Sequence, residues 1–274
     1  MKYRKENLTQ RAYLNSITGI IDFSSKQIVG FILNPITVFI LGPYIYGVWK
    51  IIMQLNTYMT MSDINVSQTL RILVAKERSI SSDKDLKKYF TAAVYANLFF
   101  IPFYILLGIV LIWISPFIAG SKMEYFYTIR VCMSFLIISF IVKQIFSLFE
   151  AILRGMNLAY KRIGVRSAIT IIGGFLTAFV LYRGYGIIGM AIIQIMIGIV
   201  TGFTIWWIVY KNVQWFGIIK VEFLEIKTMI KKSGKFMIER FVKMINNSSD
   251  IILLGFFAGP IYVAAYSISK FLIN

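Results

Sequence analysis

Long apolar runs alternate with short polar segments along the whole chain. The runs lie at 16–41, 44–62, 90–118, 127–153, 163–182, 186–210 and 236–258, and an eighth begins at Tyr262. Most have about 20 residues or more, the length that an α-helix needs to cross roughly 30 Å of hydrocarbon. None shows the ten-residue alternation of a barrel strand. The pattern therefore predicts an all-α integral membrane protein, a polytopic helical bundle.

The segment after the sixth run predicts a boundary between two helical groups. Its apolar residues recur at helical spacing opposite lysines: Ile219, Phe223, Ile226 and Ile230. This is typical of an amphipathic helix on a membrane surface. We expect an N-terminal six-helix lobe at 1–210, a cytoplasmic amphipathic connector at 211–235, and the start of a second lobe at 236–274. The eighth run has 13 residues, about 20 Å of helix, so we expect the second lobe to be truncated.

Lysine and arginine are concentrated in alternate gaps between the runs. The gaps at 1–15, 63–89, 154–166 and 211–235 hold twenty, whereas the intervening gaps hold two, Lys122 and Arg183. Cytoplasmic loops retain basic residues and translocated loops lose them. The alternation predicts a multi-pass membrane protein with a cytoplasmic N-terminus.

Composition excludes several kinds of chemistry. The chain has no histidine and a single cysteine, so a Ser-His-Asp triad, an imidazole proton relay and a CxxC metal pair are impossible. We expect no catalytic residues, no metal and no cofactor. The net charge of +17 follows from the basic loops, and we expect no binding to nucleic acid.

Ionisable side chains inside the apolar runs mark the candidate site. They include four lysines and three carboxylates: Lys26, Lys50, Lys143, Lys270, Asp22, Glu150 and Asp250. A charge at the bilayer centre costs about 2.5–3.5 kcal/mol when it faces lipid, so these groups must pair or face water. We expect the lysines to bind substrate and the carboxylates to line the cavity or couple transport to an ion.

Helical spacing places these charges in polar stripes on four helices. At 100° per residue, four sets each share one face: Asn15, Gly19, Asp22, Lys26, Gly30 and Thr37; Gly47, Lys50, Gln54 and Thr57; Ser139, Lys143, Ser147, Glu150 and Arg154; and Glu239, Lys243, Asn247 and Asp250. The stripes predict a shared hydrated cavity. Basic groups within the runs outnumber acidic ones seven to four, so the cavity should be net positive and favour an anionic passenger.

A purely structural role, without substrate binding, stays open for some of these charges. Asp22 and Lys26 are four residues apart, as are Glu150 and Arg154, so each pair could neutralise itself on its own helix. Glu239, Arg240 and Lys243 lie near the inner end of their helix, where such side chains can reach water.

Three short motifs resemble bacterial polysaccharide (O-antigen type) flippases. Residues 41–49 read LGPYIYGVW, residues 149–155 read FEAILRG, and residues 250–255 read DIILLG, with Ala265 and Tyr266 following in the next run. The resemblance covers the chain from about residue 12 to its end. It implies the multidrug/oligosaccharidyl-lipid/polysaccharide exporter fold, in which two six-helix lobes enclose a cavity that opens alternately to either face.

The resemblance also implies a location in the bacterial inner (cytoplasmic) membrane, a passenger and partners. The usual passenger is an undecaprenyl-pyrophosphate-linked oligosaccharide, whose pyrophosphate is faced by the helices that carry Lys26, Lys50 and Lys270 here. Lysine is a point charge, without the bidentate geometry of the arginine that family members often use. The expected partners are this lipid-linked anionic oligosaccharide and membrane lipids, with glycan polymerase machinery as a further candidate.

Two other functions stay open. A cation-coupled multidrug antiporter of the same superfamily would need carboxylates in the first lobe, and Asp22 and Glu150 provide them. A membrane glycan polymerase or glycosyltransferase usually has a sizeable outer loop or catalytic domain, but no gap here exceeds about 27 residues. The favoured prediction is a flippase that performs no covalent chemistry.

Overall fold

The computed structural model describes residues 8–78 and 80–273, with side chains except at 8–9, 11–12, 61, 163, 237–249 and 272–273. Within these ranges the chain forms helices and turns and no strand. The α-helices are α1 Leu8–Met61, α2 Val66–Glu77, α3 Asp83–Ile118, α4 Phe126–Gly155, α5 Ile163–Tyr182, α6 Gly186–Asn212, α7 Phe223–Ala258 and α8 Pro260–Ile273. The predicted all-α helical bundle is therefore confirmed.

Helix α1 is a hairpin of two helical parts. Gly42 has φ +75°, a left-handed conformation that glycine adopts without steric cost, and it separates the two parts. Nζ of Lys50 lies 3.1 Å from Oδ1 of Asn34, whereas 16 residues of straight helix would separate them by about 24 Å. The chain thus reverses at Gly42, as the predicted boundary between the first two runs requires.

A short helix, α2, follows the second apolar run. The segment 63–89, predicted to be a gap between two apolar runs, contains α2 and the first turns of α3. A four-residue break at 62–65 separates α1 from α2. The hydroxyl of Tyr104, near the middle of α3, donates a 2.9 Å hydrogen bond to buried Asp63. The break therefore lies inside the bundle rather than at its surface.

Helix α4 lies at the centre of the bundle and packs against α1, α2, α3 and α6. One apolar cluster surrounds its first half with Ile52, Met133 and Phe140, and a second surrounds its last turns with Leu70 and Leu153. At the end of α4, a Cβ on Gly155 would come within 2.8 Å of Val74 on α2. This close approach positions the last turn of α4 beside α2.

Five segments of the described residues are long and apolar enough to cross a membrane. They are Tyr13–Thr60, Asp83–Ile118, Met123–Gly155, Ala159–Tyr182 and Gly186–Asn212. Large apolar side chains on their outer faces remain exposed, among them Phe99 and Phe175. Because hydrocarbon accepts such side chains and water does not, these faces suit lipid, and the chain is a multi-pass membrane protein.

The predicted connector does not form a helix of its own. Residues 213–222, which include Ile219, are not helical, and α7 then runs without interruption from Phe223 through the predicted seventh run to Ala258. The amphipathic turns pack into the bundle, because Met229 is buried and Oγ of Ser233 lies 2.9 Å from Oγ1 of Thr69 on α2. The division of the chain into two lobes stays a prediction.

Candidate functional site

A cavity of about 760 Å³ lies at the end of the bundle that holds Arg71 and Arg154, two residues of segments predicted to be cytoplasmic. The cavity is open on one side and is lined by residues 15–22 of α1, by α2, by the end of α4 and by a 3₁₀ turn at Ala159–Arg162. Its charged lining residues are Asp22, Arg71, Lys76, Arg154 and Arg162. With four cations and one carboxylate, the cavity is net positive.

The carboxylate of Glu150, beside this cavity, contacts three guanidinium groups. Oε1 of Glu150 lies 2.6 Å from Nη2 of Arg154, 2.8 Å from Nη1 of Arg162 and 3.5 Å from Nη1 of Arg166. Arg154 follows Glu150 by one turn of α4, whereas the other two arginines come from the 3₁₀ turn and from α5. The predicted Glu150–Arg154 pair is therefore present, within a larger cluster.

The 3₁₀ turn that carries Arg162 is held in place by α1. The side chain of Asn15 donates to Oδ1 of Asn157 over 2.5 Å and accepts a 2.7 Å hydrogen bond from the backbone N–H of Tyr160. Arg162 is only 6% exposed, and among the described residues its Nε atom has no hydrogen-bond partner. A buried guanidinium with a spare donor at a net positive cavity is a feature of anion-binding sites.

Asp22 turns toward α5 rather than toward Lys26. Its Oδ1 accepts a 3.1 Å hydrogen bond from Ser167, and its Oδ2 lies 3.9 Å from Nε of Arg166. Lys26 is exposed, and no side chain in the described part of the chain forms a hydrogen bond or ion pair with it. Lys26 remains close enough to Glu150 and Arg166 to interact with their charges.

Lys50 and Lys143 lie in two different environments. Lys50 bridges the α1 hairpin through Asn34, and its Nζ lies 5.0 Å from the centre of the Tyr46 ring. The aliphatic stem of Lys143 lies along α6, where its Cε would be 3.4 Å from a Cβ on Gly198, and the residue as a whole is exposed. Glu150 contacts arginines, so the structure gives Lys143 no ion pair with it.

Lys270 and Asp250 form a third group on α7 and α8. Oδ2 of Asp250 lies 3.3 Å from Nζ of Lys270 and accepts a 2.7 Å hydrogen bond from Tyr266. Helix α8 meets the first part of α1, where the ring of Phe271 packs on Gly30. The other members of the predicted α7 stripe, Glu239, Lys243 and Asn247, lie outside the described side chains, as does Arg240.

The structure brings some of the predicted site residues together and leaves others apart. Asp22 and Glu150 both lie within ion-pair distance of Arg166, and Lys26 lies near them without an ion pair. Lys50, Lys143 and the Asp250–Lys270 pair have separate local contacts. Four basic residues of this region were counted only as loop charges in the sequence: Arg71, Lys76, Arg162 and Arg166. The four-residue spacing of Arg162 and Arg166, which places both on one face of a helix start, is the signal that could have identified them.

The helical hairpin, the central α4 and the long apolar helices define a polytopic helical membrane protein with a charged cavity at one end. A family model described as polysaccharide biosynthesis protein matches residues 16–272. The chain therefore belongs to that family.

Two solved structures show a similar fold. The crystal structure of MATE in complex with MaD3S is 18% identical, with a TM-score of 0.59 over 95% of this chain and 60% of that one. An outward-facing multidrug resistance MATE family transporter of the MOP superfamily is 16% identical, with a TM-score of 0.56 over 86% of this chain and 54% of that one. The chain thus spans 60% or less of the length of either structure. No curated protein matches the chain significantly.

Proposed function

We propose that this chain forms part of an exporter. The exporter moves a lipid-linked, anionic oligosaccharide from the inner to the outer leaflet of the bacterial inner membrane. The carrier would be an undecaprenyl pyrophosphate, and transport would proceed by alternating access without covalent chemistry. The observation that carries the proposal is the net positive cavity at the predicted cytoplasmic end, with Arg162 buried in its wall. Membership of the polysaccharide biosynthesis family supports it.

Arginine suits this passenger better than the lysines on which the sequence prediction rested. A guanidinium group donates two parallel hydrogen bonds to a phosphate, whereas an ammonium group acts as a point charge. The passenger would be bound by Arg162 and Arg154 from the wall, with Arg71 and Lys76 on the α2 side. The predicted roles of Lys26, Lys50, Lys143 and Lys270 in substrate binding remain predictions.

A multidrug antiporter is the second candidate. Asp22 lines the cavity and would provide a carboxylate for a cationic drug or a coupling ion, and the fold is similar to that of MATE transporters. Against it, four cations line the same cavity, and a positive potential raises the energy of a cationic drug. The charge balance therefore favours the anionic passenger.

Binding of inorganic pyrophosphate to the purified full chain tests the proposal. We expect binding in detergent at low salt, and weaker binding as salt is raised, because the interaction is electrostatic. Tetraphenylphosphonium, a lipophilic cation of drug size, serves as the matched probe and should bind less tightly. Tight binding of the cation together with no binding of pyrophosphate would instead support the antiporter.

A further inference from the structure

We propose that Glu150 is a resident counter-anion, which neutralises the arginine cluster while the cavity is empty and which the phosphate of the passenger displaces. This inference rests on the proposed function. It assigns Glu150 a role different from the ion-coupling role that its position in an apolar run first indicated.

The geometry of Glu150 resembles that of a bound phosphate oxygen. A single oxygen, Oε1, lies within 3.5 Å of guanidinium nitrogens from Arg154, Arg162 and Arg166. The other carboxylate oxygen, Oε2, forms no hydrogen bond within the described part of the chain. One carboxylate oxygen therefore contacts arginines from α4, from the 3₁₀ turn and from α5, as an oxygen of a bound phosphate would.

The position of Glu150 allows this exchange. Its side chain is 25% exposed, so it is not sealed in the bundle, whereas the Arg162 side chain beside it is 8% exposed. The neighbouring cavity is lined by Arg154 and Arg162, two of the groups that Glu150 binds. An anion that enters the cavity thus meets the same guanidinium groups and must compete with the carboxylate for them.

The location of the partners indicates which contacts break. Glu150 and Arg154 lie one turn apart on α4 and can stay paired while other elements move. Arg162 and Arg166 come from the 3₁₀ turn and from α5, so they can exchange the carboxylate for a phosphate. After release of the passenger, Glu150 would neutralise them again, and the empty carrier could return without burying uncompensated cations.

The test compares pyrophosphate binding by the full chain with that of two matched variants. Glu150→Gln removes the competing charge but keeps the shape, and we expect about tenfold tighter binding of inorganic pyrophosphate by calorimetry. Glu225→Gln is the control. Glu225 also pairs with a basic residue, since its Oε1 lies 3.3 Å from Nζ of Lys88, but neither residue lines the cavity. The control should bind pyrophosphate as the unaltered protein does.

Each outcome distinguishes this inference from the proposed function. If the unaltered protein binds pyrophosphate and Glu150→Gln binds it equally or more weakly at the same thermal midpoint, the counter-anion role is wrong and the proposed function stands. If the unaltered protein binds no pyrophosphate, the proposed function itself is contradicted. If Glu150→Gln does not fold, pyrophosphate binding by Glu150→Asp tests the inference instead. Its shorter side chain withdraws the charge from the arginines, so tighter binding supports the inference, and equal or weaker binding overturns it.

Discussion

Oε1 of Glu150 lies 2.8 Å from Nη1 of Arg162, a contact that joins the last turns of α4 to the 3₁₀ turn before α5. Both residues are adjacent to the charged cavity, and Arg162 retains a buried donor, Nε, that no described side chain satisfies. The contact therefore links the packing of the bundle to the charge of the cavity.

Replacement of Arg162 by glutamine should weaken pyrophosphate binding by a factor on the order of ten or more, because the variant loses a charged, bidentate donor. Arg162→Lys should retain part of the affinity, since it keeps the charge but not the planar geometry. Calorimetric titration of the purified variants measures both effects. Arg183→Gln is the matched control, because Arg183 is exposed and stacks on Phe179 away from the cavity. An equal loss in the control would mean that only the net charge of the protein matters.

Replacement of Tyr104 by phenylalanine should destabilise the fold by about 1–3 kcal/mol, because it removes a hydrogen bond to buried Asp63 at the break between α1 and α2. Thermal unfolding in detergent measures the effect. Tyr95→Phe, on the same helix but 48% exposed, should leave the midpoint unchanged. Equal midpoints for the two variants would show that the Tyr104–Asp63 contact contributes nothing to stability.

Replacement of Gly47 by alanine should disrupt the contact between α1 and α8. A Cβ at this position would come 1.8 Å from the carbonyl oxygen of Pro260, which is backbone and cannot rotate away. We expect a loss of roughly 1–3 kcal/mol from this overpacking, measured as a lower unfolding midpoint and a lower membrane abundance. Gly164→Ala, whose Cβ would meet no atom within 4 Å, is the control. Tolerance of both changes would contradict the close approach.

Reporter fusions should place Lys122 and Arg183 outside the cell, and Lys84, Lys161 and Lys231 inside. The expectation follows from the distribution of basic residues and from the reversal of the chain at Gly42. Alkaline phosphatase and green fluorescent protein fusions report the two sides. The same side for Lys122 and Lys161 would contradict the assignment of α4 as a crossing.

The sequence predicted most of the crossings because their ends carry strong local signals. Helix α5 covers 163–182 as predicted, and α6 begins at Gly186, since Gly184 and Gly186 have positive φ values that favour glycine. Helix α2 was missed because the break at 62–65 separates it from the second apolar run. The buried side of α2 is a narrow stripe that includes Val66, Leu70 and Val74, and the helix contains no long apolar run.

The candidate site was predictable only in part. Asp22 and Glu150 were found because a charge in an apolar run is conspicuous, and the Glu150–Arg154 pair follows from helical spacing. Arg162 and Arg166 were assigned to a basic loop because they stand where an apolar run begins. Their contact with Glu150 depends on how α4 packs against the 3₁₀ turn, which periodicity along a single helix does not determine.

Export of lipid-linked glycan by cells that express the protein tests the central claim most directly. The assay measures glycan reaching the outer leaflet of a flippase-deficient strain, normalised to protein amount, with efflux of a cationic dye measured in parallel. For an exporter that contains this chain, the account predicts glycan export, roughly one tenth of that export or less with Arg162→Gln at equal abundance, and no dye efflux in either case. Dye efflux without glycan export, or unchanged glycan export by Arg162→Gln, would contradict it.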